Sequence, residues 1–190
     1  SGGAEPEALK GARVSANFLS ILGVTPLLGR GFLPEDDSRG GPAVAMISAD
    51  LWWRRFGGDS SIVGKAATIN AIPYTIVGVL PAGFRFPFPG VDVWLTRPWE
   101  WSVVPPQSRP LSPILAVFAR LKPQVTLNQT QAEMAVIYQQ YAAAHPTMLD
   151  AKPRPPEPVT PLKEHLVGSV RPMLWMLSGA VAFVLLIACA

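Results

Sequence analysis

The stretch that most limits what this chain can fold into is its last one. From Met173 to Ala190 the sequence reads MLWMLSGAVAFVLLIACA, with no charged residue and Ser178 as its one hydroxyl. A helix needs roughly 20 apolar residues to cross the hydrocarbon of a bilayer. The run is still apolar at its final residue, so it reads as the first part of a transmembrane helix. The alternative, a buried core helix, usually keeps a polar stripe, and this run has none. A secretory signal is excluded by the C-terminal position. At the other end, SGGAEPEALK carries no Met and no charged-then-apolar signal pattern. Both ends are therefore expected to be cuts in a longer chain.

With 190 residues, there is enough chain ahead of that run for one core or two small subdomains. Charged residues are 15% and the net charge is +3, against a usual charged share of about 25%. Arg54 and Arg55 are the only adjacent basic pair. Without a basic block or basic residues interleaved with aromatics, no nucleic-acid partner is expected. Cys189 is the single cysteine and lies in the apolar tail, so no intrachain disulfide is available and packing must hold the fold. The 21 prolines cluster in connectors, at Pro105 and Pro106 and from Pro153 to Pro161.

Hydrophobic periodicity and turn residues divide the rest. Lys10 to Ala16 alternates weakly, as a strand does, and Asn17 to Leu22 reads as a short helix closed by Gly23. Gly29, Gly31, Pro34 and the acidic Glu35, Asp36 and Asp37 read as turns. Ala43 to Ile47 is a buried strand. Ser48 then caps a helix over Ala49 to Phe56, which Gly57 and Gly58 stop. Lys65 to Asn70 and Tyr74 to Leu80 form two strands around a loop at Ala71 to Pro73. Asp92 to Thr96 and Ile114 to Leu121 are further strands, separated by a proline- and tryptophan-bearing loop. Thr126 and Gln129 make a capping box for a helix running to about His145, where Pro146 ends it. Leu127, Met134, Ile137, Tyr138 and Tyr141 share one face, which predicts packing on a sheet. On that reading Ile137→Asp would cost several kcal/mol. A short strand at Pro158 to Thr160 would complete a split α+β unit from Ile114 to Thr160, ahead of a helix starting near Lys163.

No catalytic constellation emerges. His145 and His165 flank a proline-rich linker with no Cys or His at ligand spacing, so helix-end solvation explains them better than a metal does. Glu35, Asp36 and Asp37 have carboxylates but not the spacing of a calcium loop, and a polar turn is the simpler reading. Ser48 and Ser178 lack a nucleophile elbow. Gly64 and Lys65 lack the rest of a phosphate loop. Asn128, Gln129 and Thr130 match a glycosylation sequon, which helix capping accounts for equally well. No enzyme activity, cofactor or metal is expected. Most of the aromatics are expected in the core. Trp99 and Trp101, in the long loop, could instead face a membrane or a partner.

Several ordered motifs carry a family likeness. VSANFLSILGVTPLLGRGFLPEDD (Val14 to Asp37), AVAMISADLWWRRFGGDSSIVGKAATINAIPYTIVGVLPAGFRFP (Ala43 to Pro87) and DVWLTR (Asp92 to Arg97) resemble the periplasmic core domain of MacB-type permeases. VFARLKPQVTLNQTQAEM (Val117 to Met134) continues the likeness. The final run from Pro161 is similar to the start of the FtsX-like permease region, and the whole is most like the acidobacterial duplicated orphan permease type. Ala71 and Gln124 depart from the pattern, which often has Gly there; both are turn positions where a left-handed residue is easiest.

The resemblance implies an α+β, two-lobed extracytoplasmic domain over residues 1–161: a split βαβ lobe built partly from Ile114 to Thr160, with a mixed α/β lobe inserted, roughly Val24 to Trp99. Residues 162–190 would be the junction and the start of the membrane helix. It implies a non-catalytic permease subunit of an ABC-type transporter or mechanotransmission complex in a bacterial inner membrane. Its partners would be the lipid bilayer, a cytoplasmic ABC ATPase subunit and a second copy in a homodimer. The alternative is a membrane-anchored extracytoplasmic binding or sensor module without transport. Lys163 and Arg171 before the apolar run would, by the positive-inside tendency, put that end in the cytoplasm. The resemblance puts it outside, and two basic residues are the weaker signal.

Overall fold

The computed structural model describes residues 7–97, 116–146, 158–167, 175–179, 181, 182, 185 and 187. They fall into two compact units: residues up to Arg97 with 116 and 117, and the residues from Phe118 onward.

The first unit is α+β, built on a six-stranded mixed sheet. Its strands are β1 (Gly11–Arg13), β2 (Leu28–Gly29), β3 (Val44–Ser48), β4 (Ala66–Ile69), β5 (Ile72–Leu80) and β6 (Val93–Leu95); its helices are α1 (Phe18–Leu22) and α2 (Ala49–Phe56). The strand order is β1-β6-β3-β5-β2, with β4 also paired to β5. β3 and β5 run parallel, while β6 lies antiparallel to β3 and parallel to β1. All five residues of β3 are buried, as a strand covered on both faces must be.

On one face, Ala45 and Ile47 pack with Val93, Leu95, Ile76 and Val79 beneath Leu51 and Trp52 of α2. The other face carries Met46 opposite Trp94, both wholly buried. Phe84 lies against Trp94 at 5.6 Å between ring centres, and Phe86 stacks on Phe18 of α1 at 5.8 Å. Trp94 satisfies its indole N–H on the Phe86 carbonyl at 3.1 Å, as a buried tryptophan must.

Local signals placed most of these elements. Ser48 Oγ accepts the Leu51 N–H at 3.0 Å, and Gly57 ends α2 in the left-handed region at φ 60°. The hairpin is tighter than expected. Its turn is Asn70 and Ala71, both at positive φ (49° and 63°), and Pro73 sits inside β5 opposite Thr68. Proline is tolerated there because its nitrogen faces away from β4 and beyond the end of β3, so no ladder bond is lost. β2 lies where turns were expected. It depends on Gly78 of β5, where a Cβ would stand 2.5 Å from the Arg30 carbonyl oxygen. Only glycine lets two backbones approach so closely.

In the second unit α3 (Leu127–Ala144) forms as predicted. Thr126 Oγ1 accepts the Gln129 N–H at 3.2 Å, and Gln129 Oε1 accepts the Thr126 N–H at 2.8 Å. Three expectations need correction. The strand over Ile114 to Leu121 is not formed at its described residues, which start at Ala116, and Val117 is 88% exposed. Pro158 to Thr160 is not a strand either; the Val159 N–H donates instead to Gln131 Oε1 on α3 at 2.6 Å. α3 buries none of its residues, and Ile137 is 50% exposed. Periodicity identifies which side chains share a face but not what covers them. Without flanking ladders, the split unit expected from Ile114 to Thr160 is not assembled among the described residues.

α4 (Leu162–Val167) follows, and the described residues from Trp175 to Ile187 are helical with exposed side chains. No helix among the described residues is long and apolar enough to cross a membrane.

Candidate functional site

A chain with few charges shows its organisation by where they are placed, and two gatherings in the first unit join segments remote in sequence. The first is a knot at the end of β6. Arg30, just after β2, reaches Asp36 with two hydrogen bonds of 2.6 and 3.2 Å. Asp36 is 1% exposed, and its Oδ2 also accepts the Leu33 N–H at 2.9 Å. The Asp36 carbonyl accepts the Thr96 hydroxyl at 3.0 Å. Asp37 accepts the backbone N–H groups of Ala16 and Arg97, at 3.0 and 2.9 Å. Arg13 donates to the carbonyls of Thr96 and Arg97 at 2.9 and 3.2 Å. Three segments remote in sequence, residues 13–16, 30–37 and 96–97, are thus tied at one point, and Arg97 is held at φ 60°.

Burial by itself would push the Asp36 carboxyl up. The Arg30 hydrogen bond, the Leu33 N–H and the Arg30 charge outweigh it and hold the group below the ordinary carboxylate value. The same hydrogen bond raises Arg30. Two of the three acidic residues read as a polar turn are therefore committed to the fold. Sequence reading missed Arg30, Arg13 and Thr96. The only signal available was the scarcity of charge, which makes an arginine in a glycine-rich turn worth explaining.

The second place is a cleft of about 220 Å³ at the carboxyl ends of β3 and β5. It is walled by the first turn of α2 and by residues 81–85 and 90–92, with Asp50, Arg54, Arg85 and Asp92 as its charged lining. Arg54 bridges Glu7 Oε1 at 2.7 Å and Asp92 Oδ1 at 3.3 Å. The Asp92 hydrogen bond is the largest cause that raises its pKa, followed by Glu7. The second oxygen of Asp92 accepts the Lys10 N–H at 3.2 Å. This ion network straps residues 7–10 across α2.

The other singled-out residues are dispersed. His145 ends α3, its ring 4.8 Å from Tyr141, and His165 lies in α4. Among the described residues no group of three or more His, Cys, Asp or Glu could hold a metal. Lys65 belongs to an exposed turn with Asp59 and Ser61. Asp59 caps that turn by accepting the Ser61 N–H at 2.8 Å, which makes the Ser–Asp–Lys group a cap and not a nucleophile with its base. Trp52 is buried, whereas Trp53 is 63% exposed. Trp99, Trp101 and Cys189 lie outside the described residues.

Comparison with known proteins adds a family. The family model described as MacB-like periplasmic core domain matches residues 1–137. Among solved structures, a domain of a proposed permease protein from Porphyromonas gingivalis is 19% identical with a TM-score of 0.48, covering 87% of this chain and 74% of that one. The periplasmic region of MacB from Actinobacillus actinomycetemcomitans is 16% identical with a TM-score of 0.43, covering 70% of this chain and 56% of that one. A search of curated proteins gives no match.

Proposed function

Since the chain belongs to the MacB-like periplasmic core domain family, we propose that it serves in a non-catalytic permease subunit of an ABC-type transporter or mechanotransmission complex. Its extracytoplasmic domain, residues 1–161, would couple conformational change to export or handling of substrate outside the membrane. Residues 162–190 would form the junction and the first part of an FtsX-like membrane helix in a bacterial inner membrane. The observation that carries this reading is the family match. It is supported by the apolar tail: Trp175, Met176, Leu177, Val181, Leu185 and Ile187 are all more than half exposed on helical backbone, and a bilayer would cover that surface. A cytoplasmic ABC ATPase and a second copy of the subunit are the proposed partners. The two-lobed organisation of the extracytoplasmic domain belongs to the same proposal.

A force-carrying joint must be stiff, because a flexible linker cannot transmit displacement. Three glycines inserted after Ser169 in the full-length permease touch neither core. Expression and membrane insertion should survive, while transport, or stimulation of the partner ATPase, should fall sharply. Full activity in that variant would overturn coupling and leave the anchored binding module as the better account.

A further inference from the structure

We propose that the cleft at the carboxyl ends of β3 and β5 binds a small zwitterion of the size of an amino acid or dipeptide. Crevices outside the carboxyl ends of parallel strands are where open α/β sheets bind ligands, because neighbouring connections diverge there. The same divergence operates here, since β3 leads into α2 while β5 leads into residues 81–92. The volume, about 220 Å³, lies below the roughly 300–1,000 Å³ of sites for drug-sized molecules. It has room for about seven waters at ~30 Å³ each, which sets the size class.

The charges set the chemistry. Arg54 is already engaged by Glu7 and Asp92, and Asp92 by Arg54 and the Lys10 N–H. Asp50 and Arg85 line the same cleft, and among the described residues neither makes a side-chain hydrogen bond or ion pair. One unclaimed carboxylate and one unclaimed guanidinium match a ligand with one cationic and one anionic end. Val91, which is buried, and Pro81 add apolar surface to the lining of the same cleft.

The inference does not depend on the permease reading, and its test needs no transport assay. The probe is alanyl-alanine, titrated against the full chain in lipid nanodiscs by saturation-transfer NMR, alongside its N-acetyl and C-amide forms. Free dipeptide should bind saturably at about millimolar concentration, as a small open site allows. Each capped form should bind about three- to fivefold more weakly, the scale of one exposed ion pair. Asp50→Asn should abolish discrimination against the N-acetyl form alone, and Arg85→Gln should abolish discrimination against the amide alone. Both residues are exposed, so both variants should melt like the parent. Absence of saturable binding, equal binding of free and capped forms, or discrimination that survives the two substitutions would each overturn the proposal.

Discussion

Ala71 is the position where this sequence is least suited to its own backbone. It is the second residue of the two-residue turn joining β4 to β5, at φ 63°, after Asn70 at φ 49°. Turns with two left-handed residues strongly favour Asn-Gly, because asparagine tolerates the region and glycine is unstrained in it. An L-residue there costs about 1–2 kcal/mol from its Cβ. Replacement by glycine removes that cost but gives the unfolded chain more freedom, which returns about 0.5–1 kcal/mol. Ala71→Gly should therefore stabilise the first unit by a net ~0.5–1 kcal/mol. For a domain of this size that is a rise in Tm of about 2–8 °C. Near-ultraviolet circular dichroism follows the melt through the buried rings of Trp52 and Trp94. Amide exchange at Ala67 and Tyr74, paired across the hairpin, should slow in parallel. Ala71→Val makes the opposite case, since a β-branched residue at positive φ is a severe outlier. An unchanged or lower Tm for Ala71→Gly, or no loss for Ala71→Val, would refute the assignment of strain to this turn.

Gln124, at φ 71° in the second unit, should respond to Gly in the same direction, read by amide exchange in the first turn of α3. Asp36→Ala strands the Leu33 N–H and the Arg30 charge, and should cost about 2–4 kcal/mol in denaturant unfolding; a loss below ~1 kcal/mol would mean the knot is ornamental. Because the folded-state pKa of Asp36 is depressed, its contribution is complete above the unfolded value near 3.9 and is lost as pH falls below it. Parent and Asp36→Asn should therefore converge in Tm under acid titration, and parallel curves would count against the pair. Ile137→Asp, at a half-exposed position, should change stability by less than about 1 kcal/mol, and a larger loss would mean that the face of α3 is covered after all. EDTA should leave the melting profile unchanged; a shift would reveal a metal held by the protein.

What the sequence disclosed and what it withheld divide along sequence distance. Ser48, Gly57, Thr126 and Gln129 act on backbone within a few residues, so the rules of capping locate them without a fold. β3 and β5 were legible because an apolar run bounded by turns means a buried strand almost wherever it occurs. Ala71 and Gln124 were flagged as departures from a family pattern, and both occupy left-handed backbone. The knot was hidden because its terms are remote: Thr96 meets Asp36, and Arg97 meets Asp37, across a span of 60 residues. β2 was hidden because Leu28 and Gly29 have no strand pattern of their own; they pair only because Gly78 admits them. The face of α3 misled because amphipathicity states a need for cover without supplying it. The cleft was invisible for a related reason, since Asp50 and Arg85 become neighbours of one space only after β3 and β5 end side by side.

The pairing of β1 with β6 also sets an order of events during synthesis. Gly11 to Arg13 leave the ribosome before the other strands of this sheet, yet their partners are Val93 to Leu95. β3 waits for the same strand, because β6 fills the side of Val44 to Ser48 that β5 does not. At about 5–20 residues per second, the roughly 47 residues between Ser48 and Leu95 keep that edge open for about 2–9 s. For that interval the nascent chain presents the unpaired edge of a strand that is apolar from Val44 to Ile47, the kind of surface that recruits other strands. Early release from the ribosome before Leu95 should thus yield aggregates, whereas release after it should not. The last few residues of the sheet to be made are the ones that close it.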